Sequence, residues 1–239
     1  MAVSFSQRSK GVEIMDDLEF HDDVVFQTLR ELDFINQWLG GNAVTLNAIE
    51  KVWKEIPKEK SVSIADLGCG SGEMLGLIAK KAVHQKRNVQ LTGIDANPHI
   101  VDYAIDHSRD FSDIKFEALN IFSNEFRSRK IDIVVATLFL HHFSDDELTN
   151  LFVSLKNQVK TAIIVNDIHR HPLAYYSIKW LTSLFSKSSM VKFDAPLSVL
   201  RAFKRNELKS ILKKAGVENY QLRWRWAFRW QLIIFCPKN

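Results

Sequence analysis

The sequence predicts an α/β fold: a doubly wound, seven-stranded, mostly parallel sheet whose last strand is antiparallel. The chain has 239 residues, of which 46% are hydrophobic and 25% are charged. These values are typical of a folded domain and exclude disordered, collagen-like and coiled-coil chains. From residue 61 onward, short β-branched runs alternate with longer amphipathic runs, as strands and helices do. Several short runs are apolar throughout, which is typical of parallel strands covered by helices on both faces.

The individual elements follow from these runs. We expect strands at residues 62–67, 89–94, 115–118, 131–137 and 162–165. Amphipathic runs predict helices at residues 74–83, 98–108, 145–159 and 205–214, the last of them ended by Gly216. Two closing strands at residues 220–226 and 228–235 must be antiparallel, because the link between them is too short for a crossover.

Two further regions complete the domain organisation. Residues 1–60 form a predicted N-terminal helical cap of the same domain, with one helix ended by Gly40 and Gly41 and a second at about residues 44–56. Residues 61–239 form the core, which contains an insertion at about residues 168–200, rich in aromatic and basic side chains. An insertion after strand five lies over the ligand crevice of such a sheet, so we expect it to act as a substrate lid.

The positive charge of the chain is concentrated in its last third. The net charge is +4, but residues 168–239 carry 14 basic and 3 acidic side chains, a net charge of +11. The two cysteines, Cys69 and Cys236, are too few and too isolated for a disulfide framework or a thiolate metal site. The longest apolar run, residues 133–140, is too short to span a membrane. We therefore expect a cytoplasmic protein.

The first predicted strand ends in a glycine-rich turn that precedes a helix. Gly68, Gly70 and Gly72 suit a sharp bend that a ligand approaches closely. Asp95 ends the second strand 23 residues after Gly72, where a carboxylate can accept hydrogen bonds from a ribose diol. This pattern predicts a cofactor that contains a nucleoside. The third glycine of a dinucleotide fingerprint would fall at Glu73, which disfavours NAD or FAD.

At this point the sequence resembles the class I S-adenosylmethionine-dependent methyltransferases, whose first motif reads acidic-x-G-x-G-x-G. Asp66, Gly68, Gly70 and Gly72 match that motif. The resemblance implies a Rossmann-like fold with S-adenosyl-L-methionine as cofactor and S-adenosyl-L-homocysteine as product. It further implies that Asp66 helps to hold the ammonium group of the cofactor, that Asp95 binds the ribose hydroxyls, and that Ala96 packs beside the adenine.

Two later segments fit the same resemblance. Asn120 and Ile121 follow strand three, where the family often has an acidic residue that contacts the adenine amine; the side-chain carbonyl of Asn120 can accept the same hydrogen bond. Thr137 and Leu138 begin the segment after strand four, which resembles the loop that closes over the cofactor. These four residues complete the expected cofactor-binding set.

A narrower resemblance, to bacterial methyltransferases of polyketide, phenolic-lipid or quinone-type pathways, covers nearly the whole chain. It is carried by residues 15–17, 36–41, 167–175 and 194–199. It implies a small, largely apolar acceptor with a hydroxyl group, and O-methylation of a phenolic, polyketide or quinone-like metabolite. In this class the N-terminal helices usually lie across the cofactor, so we also expect the segment around Met15, Asp16 and Asp17 to cover part of the donor.

Methyl transfer needs alignment of donor and acceptor and, for a phenol or acid, removal of a proton, so no metal is required. His142 follows strand four and is a candidate base or substrate contact, although it could instead cap the next helix. His169, after strand five, is a second candidate base, and Arg170 a candidate substrate contact or salt-bridge partner. A metal site at Asp167, His169 and His171 is disfavoured because a fourth ligand is missing and Pro172 follows at once.

The insertion offers an apolar helical face. Tyr175, Tyr176 and Trp180 lie at helical spacing and are expected to contact the acceptor, although core packing is the plainer interpretation. Lysines interleaved in this stretch also permit peripheral contact with an anionic membrane. These basic side chains are Lys179, Lys187 and Lys192.

Residues 223–230 alternate arginine with tryptophan and permit a nucleic-acid interpretation. Strict alternation over residues 223–226 instead favours a half-buried strand with its tryptophans inward, which disfavours nucleic acid as a partner. Two alternatives to a small-molecule enzyme remain at this point. One is an RNA methyltransferase, and the other is a methyltransferase-like protein that binds the nucleoside without catalysis.

Overall fold

The computed structural model describes residues 3–18 and 23–236. These residues form one seven-stranded sheet. Its strands are β1 (Val62–Leu67), β2 (Val89–Asp95), β3 (Ile114–Ala118), β4 (Ile131–Thr137), β5 (Val159–Ile168), β6 (Tyr220–Arg225) and β7 (Arg229–Phe235). The spatial order is β3-β2-β1-β4-β5-β7-β6. The first five strands are parallel, and β7 runs antiparallel to both β5 and β6, which confirms the predicted fold class.

Helices precede the sheet and connect its strands. They are α1 (Asp23–Trp38), α2 (Gly41–Lys54), α3 (Glu73–His84), α4 (Pro98–His107), α5 (Asn124–Arg127), α6 (Asp145–Gln158), α7 (Pro172–Phe185), α8 (Ser189–Arg201) and α9 (Arg205–Lys214). Short 3-10 turns lie at Ile14–Asp16 and Leu140–His142. Among the described residues, no helix is long and apolar enough to cross a membrane.

The core has two layers, one on each face of the sheet. Along β4, Val134 and Ala136 pack in the layer that contains α6 and α9, whereas Ile133 and Val135 pack with α2 and α3. Because successive side chains of a strand point to opposite faces, a continuously apolar strand serves both layers. This is the physical reason that the apolar runs predict a doubly wound sheet correctly.

Strand β5 is longer than its apolar run predicts. Asn166 and Asp167 extend it beyond residue 165, and both side chains are buried. Asn166 donates from Nδ2 to the carbonyl oxygen of Gly41 at 2.9 Å, and Asp167 is bound to His141 at 2.8 Å. The Nδ2 group of Asn166 and the carboxylate of Asp167 thus have partners in distant segments, and such partners leave no local signal in the sequence.

The expectation that the tryptophans within residues 223–226 point inward is wrong. Trp224 and Trp226 are 46% and 71% exposed, and Leu222 is the buried residue of β6. Strand β6 lies at the edge of the sheet, so its outer part lies beyond the helices that bury the central strands. Trp226 falls after the end of β6, in the turn to β7, where alternation no longer fixes side-chain direction.

Candidate functional site

A cavity of about 1390 Å³ opens at the carboxyl ends of the parallel strands. This is where ligands bind in open α/β sheets, beside the point at which the strand order reverses. Residues after β1, β2, β3 and β4 line one side of it. The N-terminal segment, α1, α7 and α8 line the other side, through residues that include Met15, Leu29, Ile178 and Val191.

The three glycines of the turn after β1 serve different purposes. All three have positive φ, at +66°, +52° and +80° for Gly68, Gly70 and Gly72, a conformation that L side chains adopt rarely. Gly68 and Gly70 line the cavity, and a Cβ at Gly68 would lie 2.1 Å from the Phe139 ring. Gly72 instead lies at the start of α3, where a Cβ would meet Phe116 at 2.7 Å. Gly72 therefore allows the turn to pack closely against Phe116 and is not part of the cavity lining.

Asp66 presents an unsatisfied carboxyl group to this cavity. It lines the cavity and is 2% exposed, and its Oδ1 accepts no hydrogen bond from any described residue. Burial, followed by the charge of Asp95, raises the pKa of Asp66 well above its ordinary value. An unpartnered buried acceptor is costly, so this position fits a ligand that donates hydrogen bonds or carries positive charge.

Asp95 is held by the backbone around it. Its Oδ2 accepts from the amide of Gly70 at 3.3 Å and its Oδ1 from the amide of Asn97 at 3.1 Å. Burial raises the pKa of Asp95 despite these hydrogen bonds. Ala96 lines the cavity beside it. The glycine turn and the end of β2 are thus joined through one carboxylate.

Of the other four predicted cofactor contacts, three lie at the cavity and one does not. Asn120, Thr137 and Leu138 line the cavity, whereas Ile121 lies in the core layer with α6 and α9. The Oδ1 of Asn120 accepts from the amide of Phe122 at 2.8 Å, so this oxygen already has a partner. Thr137 shares a hydroxyl hydrogen bond with Thr45 at 3.0 Å.

His142 is held by the N-terminal segment. Its Nδ1 lies 2.6 Å from Oδ1 of Asp16, and the other carboxylate oxygen of Asp16 accepts from Arg201. Burial alone would raise the pKa of Asp16, but the hydrogen bonds from His142 and Arg201 outweigh it and hold this pKa below its ordinary value. The ring of His142 is partly exposed and lines the cavity, so its Nε2 edge is the one left for a ligand.

His141 is more buried and has a different carboxylate partner. Its Nδ1 lies 2.8 Å from Oδ1 of Asp167, and its Nε2 lies 3.9 Å from Oε1 of Glu13. Burial raises the pKa of Glu13 to about 7, against the opposing influences of His142, Ser198 and Arg201. These contacts make His141 a structural link between β5 and the N-terminal segment, at the wall of the cavity.

Glu13, His141 and His142 together form the group that could hold a metal ion among the described residues. Their ligand atoms lie within 4.8 Å of one another. However, Nε of Arg201 lies 3.5 Å from Oε1 of Glu13, so a cation already faces this carboxylate. The alternative metal set does not converge, because Asp167 faces His141 and His169 accepts from Nε1 of Trp224.

The residues predicted to contact the substrate from the insertion lie outside the cavity lining, so these predictions need correction. His169 is bound to Trp224 at 3.2 Å. Arg170 is 1% exposed and pairs with Glu207. Tyr175 packs on Phe5, with 5.6 Å between the ring centroids.

The remaining two, Tyr176 and Trp180, are exposed on the side of α7 away from the cavity. The opposite side of α7 lines the cavity with Ala174, Ser177, Ile178 and Leu181. The physical reason is that α7 is apolar on both sides, so helical spacing alone does not reveal which side faces inward.

Several residues of the site escaped the sequence analysis. Glu13 and Arg201 belong to the cluster around His142, and Asp194 accepts from the amides of Ile14 and Met15 at 2.8 and 3.1 Å. Resemblance drew attention to segments 15–17 and 194–199, but no pattern showed that they meet. Asp33, also in the cavity lining, has its pKa raised to about 7 by burial.

Comparison with known proteins identifies the family. Residues 58–216 match the family described as Methyltransferase domain, which is more than half of the chain. No curated protein sequence matches it. The chain therefore belongs to the methyltransferase-domain family, and this membership confirms the resemblance to class I methyltransferases.

Solved structures of other methyltransferases share the fold. The plantazolicin methyltransferase BpumL, solved with SAH, has 15% identity and a TM-score of 0.65, with 94% of this chain and 99% of that chain covered. The citrinin polyketide synthase CMeT domain has 14% identity and a TM-score of 0.60, covering 80% and 51%. Magnesium protoporphyrin IX methyltransferase from Synechocystis, solved with SAM, has 14% identity and a TM-score of 0.55, covering 83% and 80%.

Proposed function

We propose that this chain transfers the methyl group of S-adenosyl-L-methionine to an oxygen of a small, largely apolar acceptor of phenolic, polyketide or quinone type. The observation that carries the proposal is the buried Oδ1 of Asp66, which has no hydrogen-bond partner in the described part of the chain and lies at the glycine turn of a methyltransferase domain. The ammonium group of the donor would supply that partner. S-adenosyl-L-methionine, when bound, provides an activated methyl group, and the protein supplies alignment and proton removal.

The donor half of the cavity fits this cofactor. Gly68 and Gly70 have no side chains where the methionine portion would lie. A Cβ at Gly68 would also clash with the ring of Phe139. The carboxylate of Asp95 would receive the ribose hydroxyls. Ala96 and Asn120 line the adjoining surface, which would accept the adenine.

The acceptor half is formed by α1, α7, α8 and the N-terminal segment, and its lining is mainly apolar. An acceptor with little charge loses little hydration on entering such a surface, and apolar burial would stabilise it there. The lining residues of this kind are Met15, Leu29, Leu32, Ile178, Leu181, Val191 and Val199.

His142 is the proposed base for an acceptor hydroxyl. Asp16 fixes the ring by binding Nδ1, which leaves Nε2 to take a proton, and its negative charge would stabilise the imidazolium that forms. Arg201 in turn positions Asp16. His169, the second candidate base, lies outside the cavity lining, and the proposal leaves it no part in proton transfer.

Two measurements test the proposal. Calorimetry with S-adenosyl-L-homocysteine should detect binding to the full chain, and mass spectrometry of a cell extract incubated with methyl-labelled donor should detect a labelled small molecule. Absence of binding would contradict both methyltransferase hypotheses, with a small molecule or with RNA as the acceptor. Binding without any labelled product would favour a protein that binds the nucleoside without catalysis.

RNA methylation stays a second candidate because Trp224 and Trp226 are exposed beside Arg223, and exposed aromatic and basic groups can stack with bases. Binding of RNA should then fall steeply with salt. It should also fall in the variant with both Arg223→Glu and Arg225→Glu. Labelled RNA in the extract, in place of a labelled metabolite, would select this candidate.

A further inference from the structure

Helix α7 carries an exposed apolar stripe on its outer side. Leu173, Tyr176, Trp180 and Leu184 are 62%, 56%, 61% and 57% exposed, and Phe185 beside them is 74% exposed. The spacing of three or four residues places Leu173, Tyr176, Trp180 and Leu184 on one side of the helix, whereas Phe185 lies one turn after Leu181 at the exposed end of α7. Phe193 on α8 is also exposed. Single exposed apolar residues are ordinary on a protein surface, but a continuous stripe of this size marks a contact site.

The insertion that carries this stripe has charged side chains of one sign up to Asp194, although Glu31 of α1 accepts hydrogen bonds from Ser186 and from the amide of Lys187 at the end of α7. No acidic residue occurs between Asp167 and Asp194, whereas Lys179, Lys187 and Lys192 are exposed in that interval. Asp194 itself is buried and bound to backbone amides. An apolar stripe that contains tryptophan and tyrosine and is flanked by lysines matches the composition of helices that lie in a membrane interface.

From this we propose that the outer side of α7 docks the protein on an anionic lipid bilayer. The stripe would enter the boundary between headgroups and acyl chains, with the lysines against the acidic headgroups. Trp180 and Tyr176 suit this depth because their rings combine an apolar body with a polar group.

A second copy of the chain fits this surface less well. In a twofold symmetric dimer the same patch of both copies would meet, so the lysines of one copy would face those of the other. That contact would bury apolar area at the expense of repulsion between like charges. Anionic headgroups face the same lysines with opposite charge.

The position of α7 also connects the proposed membrane contact to the cavity. The outer side of the helix carries the stripe, and its inner side lines the cavity with Ala174, Ile178 and Leu181. Trp226, 71% exposed, lies in the lining as well. An apolar acceptor dissolved in the bilayer would then reach the site along one helix. This last step rests on the proposed function, whereas the docking itself does not.

The test is flotation of the full chain with vesicles of phosphatidylcholine, with and without phosphatidylglycerol. We expect binding only when the acidic lipid is present, and weaker binding at high salt. The variant with Trp180→Glu and Leu184→Glu should lose about tenfold or more in binding, because charge replaces the inserted apolar groups. Val83→Glu with Val153→Glu, at apolar positions 78% and 45% exposed on α3 and α6, is the matched control and should bind much more nearly as the parent does.

A second pair of variants tests the charges. Lys179→Glu with Lys187→Glu should lower binding about tenfold or more. Lys209→Glu with Lys213→Glu, on the exposed side of α9, makes the same change of net charge and should have a much smaller effect. Equal loss in both pairs would reduce the attraction to a general effect of net charge and overturn the assignment to α7.

Two other outcomes would also overturn the proposal. One is absence of binding to acidic vesicles at low salt. The other is a dimer in sedimentation that Trp180→Glu with Leu184→Glu disperses, which would assign the stripe to a second copy. Calorimetry with S-adenosyl-L-homocysteine on the same variants keeps the two proposals apart. A variant that still binds S-adenosyl-L-homocysteine but no longer floats with vesicles has lost only the membrane contact. Failure of the parent protein to bind S-adenosyl-L-homocysteine would contradict the proposed function and not the docking.

Discussion

Asp66 and Asp95 lie at the carboxyl ends of the neighbouring strands β1 and β2, and they differ in their hydrogen-bond partners. Asp95 accepts two backbone hydrogen bonds, whereas Oδ1 of Asp66 has no partner among the described residues. The position of both carboxylates could be predicted from the sequence, because each follows an apolar run directly. That Oδ1 of Asp66 lacks a partner could not be predicted from the sequence, since it depends on which groups of distant segments reach this carboxyl.

Removal of the Asp95 carboxylate should weaken binding of the donor. In Asp95→Ala we expect the affinity for S-adenosyl-L-homocysteine to fall by roughly 1 to 3 kcal/mol, because the ribose hydroxyls would lose their acceptor. Calorimetry on the purified variant measures this. Asp102→Ala, at an exposed position of α4, is the control and should bind normally. Unchanged affinity in Asp95→Ala would place the ribose elsewhere.

His142→Gln should separate chemistry from binding. The variant lacks the proposed base, so kcat should fall by about 10² to 10⁴, while the affinity for S-adenosyl-L-homocysteine stays close to that of the parent. Steady-state kinetics with the acceptor found by mass spectrometry measures kcat. His84→Gln, on the last turn of α3, is the control. A variant with full kcat would show that the acceptor needs no proton transfer to this residue.

At the scale of elements, prediction from sequence succeeds where one property decides the outcome. Strands β1 and β4 have the predicted bounds because their runs are apolar and both of their faces are buried. Helix α7 forms within the predicted insertion, but Tyr176 and Trp180 point away from the cavity. Bulky apolar residues occupy more than one side of this helix, so only its packing against α8 and the core determines which side is buried.

Helix α8 fixes the N-terminal turn over the cavity through one carboxylate. Asp194 accepts from the amides of Ile14 and Met15, and this turn carries Asp16 to His142. In Asp194→Ala both amides lose their acceptor, so we expect a loss of roughly 1 to 3 kcal/mol in the free energy of unfolding.

The same variant should lower kcat, because Asp16 would no longer be held against His142. Urea unfolding measures the stability of Asp194→Ala, and kinetics measures its kcat. Asp110→Ala, at an exposed position, is the control for both. A variant that loses stability but keeps full kcat would show that the turn does not position His142.

For the whole molecule, the candidate base lies where three distant parts of the chain meet. Glu13 and Asp16 come from the N-terminal segment, His142 from the segment after β4, and Arg201 from the end of α8. The sequence indicated the cofactor half of the site because the glycine turn and Asp95 lie within one β-α-β unit. This second half is assembled from residues up to 188 positions apart, as Glu13 and Arg201 are, a separation at which local pattern carries no information.

The buried carboxylates make the free energy of unfolding depend on pH in opposite ways. Burial raises the pKa of Glu13 from 4.5 to about 7. Below pH 4.5 this group is protonated in both the folded and the unfolded chain and carries no penalty. As pH rises, the unfolded chain loses the proton first, so the protein loses up to roughly 3 kcal/mol by the time pH passes 7. The pKa values of Asp16 and Asp167 are lowered in the folded protein. Both carboxylates therefore stabilise the folded protein above pH 3.8, their ordinary pKa, and this contribution is lost as the pH falls below it.

Glu13→Gln should therefore flatten the decline in stability between pH 4.5 and about 7, because glutamine carries no proton to lose. The side-chain oxygen of glutamine can still accept the hydrogen bond that Ser198 donates to Glu13 at 2.7 Å. Urea unfolding from pH 4.5 to about 8 measures the effect, with Glu125→Gln at an exposed position as the control. If the parent and Glu13→Gln declined in parallel, Glu13 would not be the group whose proton is coupled to folding. The contacts with His142, Ser198 and Arg201 would then be enough to offset the cost of burying the Glu13 carboxylate.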